Sequence, residues 1–269
     1  MNFGTRAHDT QTKDIHELSE RLKKAGIYNI QLALKKSMPN FKEGSFSPLY
    51  AKNIGKIFYD NNINISVLGC YINPSCTDRE SLKNQLDFFV ENLKFAKFMG
   101  ADMVGLETGF VGEKLNIEEN RSEEVYQYLL KNMKYLVSMA EKLGVMIGIE
   151  GVSCFVVNDC KKMKRLLDDL DSPNVCVIFD PVNLLDTKNY TDQDSIIKEA
   201  FEILGDKIGV IHLKDFTVEN GYIKECIAGK GMLNTELLLA MAEKVKPGIP
   251  VIFELVSDEL YQNVVSQYK

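Results

Sequence analysis

Long apolar runs, clusters of basic residues and CxxC cysteine pairs are all missing from this sequence of 269 residues. A membrane-spanning helix needs about 20 consecutive apolar residues, and a secretory signal needs a basic segment followed by an apolar stretch. We find neither pattern and expect no membrane association and no targeting peptide. The 32 basic residues are interleaved with 38 acidic ones, and the net charge of −6 argues against nucleic acid as a partner.

The cysteines are spread singly along the chain, and several lie inside apolar runs, where a thiol acts as a small hydrophobic side chain. They are Cys70, Cys76, Cys154, Cys160, Cys176 and Cys226. We expect free thiols and therefore a reducing, cytoplasmic environment.

Linkers are also missing, because no Ser/Gly/Pro-rich segment, low-complexity tract or abrupt change of charge divides the chain. The composition, 45% hydrophobic and 26% charged, is that of a globular protein with a sizeable core. Barrels of eight βα units typically take about 250 residues. We therefore expect one domain spanning residues 1–269.

Short apolar runs alternate with longer amphipathic segments from the first residues to the last, which indicates βα units and a parallel sheet. The predicted strands cover residues 2–6, 28–34, 64–70, 102–107, 145–150, 174–179, 208–213 and 250–255. The predicted helices cover 14–25, 49–61, 79–99, 121–143, 158–170, 192–204 and 235–246, with a shorter one after Asp258. A doubly wound open sheet is the competing architecture, but its GxGxxG fingerprint follows no predicted strand. The pattern favours an α/β fold, a closed (β/α)8 TIM barrel.

Ionisable side chains stand at the carboxyl ends of the last four predicted strands, among apolar neighbours. They are Glu150 in VMIGIEGVS, Asp180 in NVCVIFDPVN, His212 in IGVIHLKD and Glu254 in PVIFELVSD. In a barrel these strand ends meet on the face that carries the active site. Three carboxylates brought together there repel one another, and a divalent cation removes that repulsion. The pattern predicts one Mn, Mg, Co or Zn ion, and the ligand types alone do not choose among them.

Each of these four residues, taken alone, is more often a helix cap, a salt-bridge partner or a first loop residue than a metal ligand. A lone buried carboxylate is costly to desolvate and needs a partner. Four such groups on four successive strands favour the metal site.

The series IGIEG, VIFDPVN, VIHLKD and VIFEL resembles the last four strands of the xylose isomerase-like TIM barrels, and the resemblance covers essentially the whole chain. That family includes sugar isomerases, ketose 3-epimerases and type IV apurinic endonucleases. The resemblance to its single-metal epimerases implies that Glu150, Asp180, His212 and Glu254 bind the metal. It also implies that Glu150 and Glu254 serve as the catalytic acid and base.

The implied function is metal-dependent isomerisation or epimerisation of a sugar or sugar phosphate. A cation that holds a carbonyl and an adjacent hydroxyl stabilises the developing enediolate, which makes proton abstraction feasible near neutral pH. Transfer between Glu150 and Glu254 across the two faces of one carbon inverts that carbon. Return of the proton to the neighbouring carbon is aldose-ketose isomerisation, and loss of a β-hydroxyl is dehydration. The ligands do not distinguish these outcomes.

Two positions depart from the best-understood relatives. Asn183, three residues after Asp180, stands where many relatives carry a substrate-binding histidine, and we expect it to contact substrate. Ketose 3-epimerases carry an arginine shortly after the strand 7 histidine, and the matching stretch KDFTVEN has none. Lys214 in this stretch is expected either to contact substrate or to form a strand-end salt bridge with Asp215.

Other polar residues follow earlier strands. His8, after Arg6, is either a polar residue of the pocket or a solvated loop histidine. Glu107 at the end of strand 4 either orients a substrate hydroxyl or pairs with Arg6 or a lysine. Tyr71 and Asn73 in the loop after strand 3 either cover substrate or pack the loop.

A glycine-rich run, Gly229-Lys230-Gly231, lies in the long loop predicted after strand 7. Its backbone amides either cradle a phosphate group or the glycines only permit a turn. Phosphate binding here would make the substrate a sugar phosphate.

Two other functions compete with isomerase chemistry. Apurinic endonucleases assemble three zinc ions from several histidines, whereas this chain has only His8, His16 and His212. A trinuclear site and a DNA partner are therefore not expected. A carbohydrate-binding barrel without chemistry is the other alternative, although all four ligand positions are intact. The expected partner is a small polyhydroxylated carbonyl substrate, and association into a homo-oligomer stays open.

Overall fold

Eight parallel strands close into a barrel in the computed structural model, which describes residues 1–112 and 115–268. The strands of the barrel are β1 (Asn2–Arg6), β2 (Asn29–Leu32), β3 (Asn64–Gly69), β4 (Met103–Glu107), β5 (Met146–Glu150), β6 (Val175–Phe179), β7 (Ile208–Leu213) and β10 (Pro250–Phe253). Between β7 and β10 the chain forms an antiparallel hairpin of β8 (Asp215–Glu219) and β9 (Tyr222–Cys226). Pairing runs from β1 through β2 to β7 in chain order, and β10 closes the barrel between β7 and β1. The predicted (β/α)8 barrel is confirmed.

Helices surround the barrel, and the longer ones match the predicted amphipathic segments. They are α1 (Ile15–Lys24), α2 (Leu34–Ser37), α3 (Pro48–Tyr59), α4 (Arg79–Met99), α5 (Ile117–Asn120), α6 (Glu123–Leu143), α7 (Cys160–Leu170), α8 (Gln193–Leu204), α9 (Thr235–Val245) and α10 (Asp258–Val265). Gly100 and Gly144 end α4 and α6 in the left-handed conformation, with φ of 83° and 67°. No helix in the described ranges is long and apolar enough to cross a membrane.

Two local predictions are wrong. The strand predicted over 28–34 ends at Leu32, because the N–H groups of Lys36 and Ser37 bond to the carbonyl of Ala33 and form the turn of α2. An apolar run does not by itself distinguish a strand from a buried helical turn. The long loop predicted after β7 contains the β8–β9 hairpin, whose two-residue turn is Asn220-Gly221, with φ of 51° and 78°. Asn-Gly is the preferred sequence for such a turn, so this signal was present in the sequence.

Side chains fill the interior of the barrel, as this architecture requires. A central cluster consists of Val67, Met103, Cys176, Ile178, Val210 and Ile252. Gly105 on β4 and Gly148 on β5 make room for it, since a Cβ at these positions would lie 2.8 and 2.9 Å from Cδ1 of Ile178. The side chains of this cluster close the middle of the barrel, so a ligand must bind at a mouth and not in a channel.

The larger part of the core lies between the barrel and the helices. Helix α4 contributes Phe89, Leu93 and Phe95, which are fully buried. Burial of a large apolar side chain stabilises the fold by about 1.5–3 kcal/mol. The six cysteines are free thiols, as predicted.

Candidate metal centre and active site

The four predicted ligands lie together at the carboxyl ends of neighbouring strands. Glu150 ends β5, Asp180 follows β6, His212 is the penultimate residue of β7 and Glu254 follows β10. Their exposed fractions are 2%, 2%, 0% and 5%. Because β5, β6, β7 and β10 are successive in the barrel, their ends converge on one buried point.

Distances within this group are short. Nδ1 of His212 lies 3.2 Å from Oε1 of Glu150 and 3.4 Å from Oε1 of Glu254. Single ligand atoms of Glu150, Asp180 and His212 all lie within 4.8 Å of one another. Glu254 stands outside this tightest group of three but contacts its histidine.

Lys214, which is 3% exposed, is a buried cation beside these acids. Its Nζ lies 3.0 Å from Oδ2 of Asp180, 3.0 Å from Oε2 of Glu254 and 2.8 Å from Oε1 of Glu225. It also donates a hydrogen bond of 2.8 Å to Oδ1 of Asn183. Burial opposes the charged form, but these acids outweigh it and raise the pKa of Lys214. The lysine therefore stays protonated.

The expected salt bridge between Lys214 and Asp215 is wrong. Asp215 instead accepts backbone N–H groups at 2.8 to 3.1 Å, and the donors are Phe216, Gly229, Gly231 and Leu233. Lys214 is the residue between β7 and β8 and enters the site, whereas Asp215 begins β8 and turns towards the loop after the hairpin. Asp215 thus holds the loop that follows the hairpin.

The same contacts decide between the two alternatives for Gly229-Lys230-Gly231 and argue against the phosphate cradle. The amides of Gly229 and Gly231 donate to Oδ2 of Asp215, so a carboxylate already occupies the place of the anion. A Cβ on Gly231 would lie 2.2 Å from the carbonyl oxygen of Phe216. These glycines therefore permit close packing of the loop.

Asn183 lies in the site, but its amide is engaged by protein groups. Its Nδ2 donates to Oε1 of Glu150 at 2.7 Å, and its Oδ1 accepts from Lys214. The short helical turn Val182–Leu184 positions it, since Oδ1 of Asp180 accepts the N–H of Asn183 at 3.2 Å. Asn183 therefore links the acid of β5 to the buried lysine.

A cavity of about 320 Å³ opens above the acids. Its walls include all the predicted substrate-binding residues, namely Asn183, His8, Glu107, Lys214 and Tyr71. They also include Arg6, Gln31, Lys36 and Glu225. Gln31, Lys36 and Glu225 are not among the residues predicted from the sequence. Gln31 is a polar residue in the apolar run of β2, and Glu225 comes from the unpredicted hairpin.

The residues at the mouth of this cavity differ in their contacts. Arg6 lies 3.2 Å from Oε2 of Glu254 and 3.0 Å from Oδ2 of Asp9, so the expected Arg6 pair with Glu107 is wrong. Burial, reinforced by Arg6, lowers the pKa of His8 to about 4, which keeps its imidazole neutral.

Tyr71 and Asn73, in the loop after β3, have different roles. The hydroxyl of Tyr71 accepts a hydrogen bond from Nε2 of Gln31 at the cavity wall. Oδ1 of Asn73 accepts the N–H groups of Ser75 and Phe110 at 3.0 and 3.1 Å. Asn73 thus packs the loop, while Tyr71 faces the site.

The pKa values of the acids diverge. Burial raises the pKa of Asp180 to about 6 and that of Glu107 to about 7, and Glu150 adds to both effects. Burial alone would also raise the pKa of Glu254, but His212, Lys214 and Arg6 outweigh it and hold that pKa at about 2.

These residues fit a divalent cation. Oδ2 of Asp180 forms an ion pair with Lys214 at 3.0 Å, but this buried oxygen accepts no hydrogen bond within the described residues. The convergence of three buried carboxylates, Glu150, Asp180 and Glu254, on His212 concentrates negative charge that a divalent cation would balance. Carboxylate oxygens with one imidazole nitrogen are ligands that Mn, Mg, Co and Zn accept.

Solved structures resemble this barrel over most of its length at low sequence identity. A D-tagatose 3-epimerase-like protein has a TM-score of 0.78 at 16% identity, covering 100% of this chain and 97% of that protein. The IOLI protein, solved with a zinc atom, has a TM-score of 0.75 at 18% identity, covering 99% of this chain and 93% of that protein. D-psicose 3-epimerase from Clostridium cellulolyticum H10, solved with D-tagatose, has a TM-score of 0.71 at 16% identity, covering 94% of this chain and 84% of that protein.

The solved structure of a fusion between a xylose isomerase-like TIM barrel and a 4-hydroxyphenylpyruvate dioxygenase also resembles this chain. The match covers 94% of the chain at 19% identity with a TM-score of 0.70, and the chain spans 38% of the length of that fusion.

The sequence comparisons place the chain in a family. A comparison with curated proteins finds no match. The sequence profile of the xylose isomerase-like TIM barrels matches residues 19–267. The chain therefore belongs to the xylose isomerase-like TIM barrel family.

Proposed function

We propose that this protein is a divalent-metal-dependent sugar isomerase or epimerase that acts on a small polyhydroxylated carbonyl compound. The observation that carries the proposal is the convergence of Glu150, Asp180, His212 and Glu254 below a polar cavity. Membership in the xylose isomerase-like family and the resemblance to sugar epimerases support it.

The four convergent residues would hold the cation through carboxylate oxygens and Nδ1 of His212, the ring nitrogen that faces the acids. When bound, a divalent cation polarises a carbonyl oxygen and stabilises the negative charge that develops on it. Mn, Mg, Co and Zn all suit these ligands.

Two carboxylates are placed to move protons. Glu254 is kept ionised by His212, Lys214 and Arg6, so it is free to accept a proton from the substrate carbon. Glu150 is oriented by Nδ2 of Asn183, and like Glu254 it lies beside Nδ1 of His212. Transfer through an enediolate between the two acids inverts a carbon, whereas return to the adjacent carbon interconverts aldose and ketose.

The cavity selects the size and polarity of the substrate. Its volume of about 320 Å³ lies at the small end of the range for ligand pockets, which is roughly 300–1,000 Å³. Gln31, Lys36 and neutral His8 add hydrogen-bonding groups to its wall. These features suit a compact molecule with several hydroxyl groups.

The test is exchange of substrate hydrogen with solvent. Chelator-stripped protein is reloaded with Mn, Mg, Co or Zn and incubated in deuterated water with ketoses, sugar phosphates and inososes. We expect deuterium at the carbon next to the carbonyl for at least one substrate, and its loss in Glu254→Gln. The matched control is Glu219→Gln, an exposed residue of the hairpin. An elimination product would favour a dehydratase, and neither exchange nor elimination across the panel would overturn the proposal.

A further inference from the structure

A second cavity, of about 550 Å³, lies beside the catalytic cavity at the same mouth of the barrel. Its walls come from Ala33 to Lys36 after β2, from the end of β3 as far as Ile72, and from α4 as far as Asn92. Lys36 and Tyr71 line both cavities and form the partition between them. A ligand longer than one sugar ring would therefore pass these two side chains to reach the second cavity.

The partition is held in place from the catalytic side. Gln31, which is fully buried, donates a hydrogen bond to the hydroxyl of Tyr71. Gly69 leaves space for the ring, because a Cβ there would lie 3.0 Å from Cε2 of Tyr71. The ammonium of Lys36 lies 5.2 Å from the centre of the Tyr71 ring, and it forms no salt bridge within the described residues.

The second cavity combines an aromatic wall with polar groups. Phe88 on α4 lies under the ammonium of Lys35, 4.8 Å from the ring centre, and Lys35 is paired with Glu43. The exposed Asn84, one turn before Phe88, makes no side-chain hydrogen bond within the described residues. The aromatic ring of Phe88 can pack against the C–H face of a sugar, and the side-chain amide of Asn84 can form hydrogen bonds with its hydroxyl groups.

The charges of the second cavity argue against a phosphate. Its acids are Glu43, Asp78 and Glu80, and Lys36 is the cation left without an ion-pair partner in the described part of the chain. A dianionic phosphate would meet more carboxylates than free cations. A neutral group avoids this repulsion.

We propose that the second cavity is a subsite for the neutral glycosyl unit of a two-ring substrate, whose reacting keto-sugar ring lies in the catalytic cavity. The natural substrate class would then be a glycoside or disaccharide of a keto sugar and not a free monosaccharide. This inference rests on the proposed function for the position of the reacting ring.

Binding measurements with defined probes test the subsite separately from catalysis. Metal-loaded protein is titrated calorimetrically with the one-ring probes D-fructose and D-tagatose, and with the two-ring glucosyl-fructoses turanose, palatinose and leucrose. We expect at least one two-ring probe to bind at least tenfold more tightly than either one-ring probe. Asn84→Trp, at an exposed position, fills the second cavity and should reduce this ratio by at least fivefold. Lys83→Trp, one residue away and outside both cavities, should leave the ratio unchanged.

The outcomes separate the two proposals. A two-ring preference that depends on residue 84 supports the subsite even if no probe exchanges deuterium, a result that would count against the proposed reaction alone. No two-ring preference, including no binding of either class, overturns the subsite. A preference that survives Asn84→Trp also overturns it, because the second ring would then lie elsewhere.

Discussion

Asn183 donates a hydrogen bond of 2.7 Å from Nδ2 to Oε1 of Glu150, and this contact fixes the carboxylate that faces His212. The other end of the same amide accepts from Lys214, so the orientation of Glu150 is tied to the buried cation. We therefore propose that Asn183 acts through Glu150 as a positioning residue, and its contact with substrate stays a prediction because the residue also lines the cavity.

Replacement of Asn183 should alter catalysis more than binding. Asn183→Ala removes the donor to Glu150, and we expect kcat for proton exchange to fall about tenfold, equivalent to about 1.4 kcal/mol, with little change in KM. Asn183→Asp places a second carboxylate against Glu150, so the acid limb of the pH–rate profile should move to higher pH. A rise in KM with unchanged kcat in both variants would instead assign Asn183 to substrate binding.

Lys214 should stabilise the fold most strongly when metal is absent. Lys214→Met leaves Asp180 and Glu254 without their shared cation, and breaking a buried ion pair typically costs about 3–5 kcal/mol. We expect a loss of this order in urea unfolding with chelator present, and a smaller loss with saturating metal. Lys224→Met, which removes an exposed ion pair of the hairpin, is the control. Equal stability of the two variants would contradict this role.

Glu107 should make the metal-free protein less stable as pH rises. Its pKa is raised from 4.5 to about 7, first by burial and then by Glu150, its partner on the adjacent strand. The folded protein binds this proton more tightly than the unfolded chain does. The stability that the proton contributes is therefore lost as the pH rises from 4.5 through about 7. Glu107→Gln stays neutral, so it should exceed the wild type by on the order of 2 kcal/mol at pH 8 and differ little at pH 5. Chelated protein unfolded in urea at both pH values provides the measurement, and a pH-independent difference would refute it.

Leu255 should show the energetic cost of turning the chain directly after Glu254. Its φ of 62° is left-handed, a conformation that costs a non-glycine residue about 1–2 kcal/mol, and its side chain is 37% exposed. We expect Leu255→Gly to be more stable than Leu255→Ala by about 1 kcal/mol in urea unfolding. Both variants lose the packing of the leucine side chain, so most of that loss cancels in the difference between their unfolding free energies. Equal stability would mean that the backbone relaxes without strain.

The barrel and the convergence of the four ionisable residues followed from local sequence. Apolar runs ending in a charged residue mark strand ends, and barrel closure brings consecutive strand ends together. Glu150, Asp180, His212 and Glu254 are therefore grouped by topology alone. Their roles as ligands, acid and base are not fixed by that grouping and stay predictions.

Contacts between distant segments did not follow from local sequence. Which of Lys214 and Asp215 faces the site depends on how the chain leaves β7 for the hairpin. The contact of Glu225 with Lys214 depends on the turn at Asn220-Gly221, which brings β9 back alongside β8. Asp215 binds the amides of Gly229 and Gly231 across the intervening hairpin, and glycines that pack a loop have the same sequence signature as glycines that bind phosphate.

The metal content of purified protein tests the central claim most directly. Protein stripped with chelator, reloaded with Mn, Mg, Co or Zn and dialysed is assayed by mass spectrometry for ions per chain. We predict one ion per chain for at least one metal in the wild type and in His16→Gln, which alters an exposed histidine of α1, and strong depletion in His212→Gln. No retained metal in the wild type, or equal retention in His212→Gln, would contradict the account.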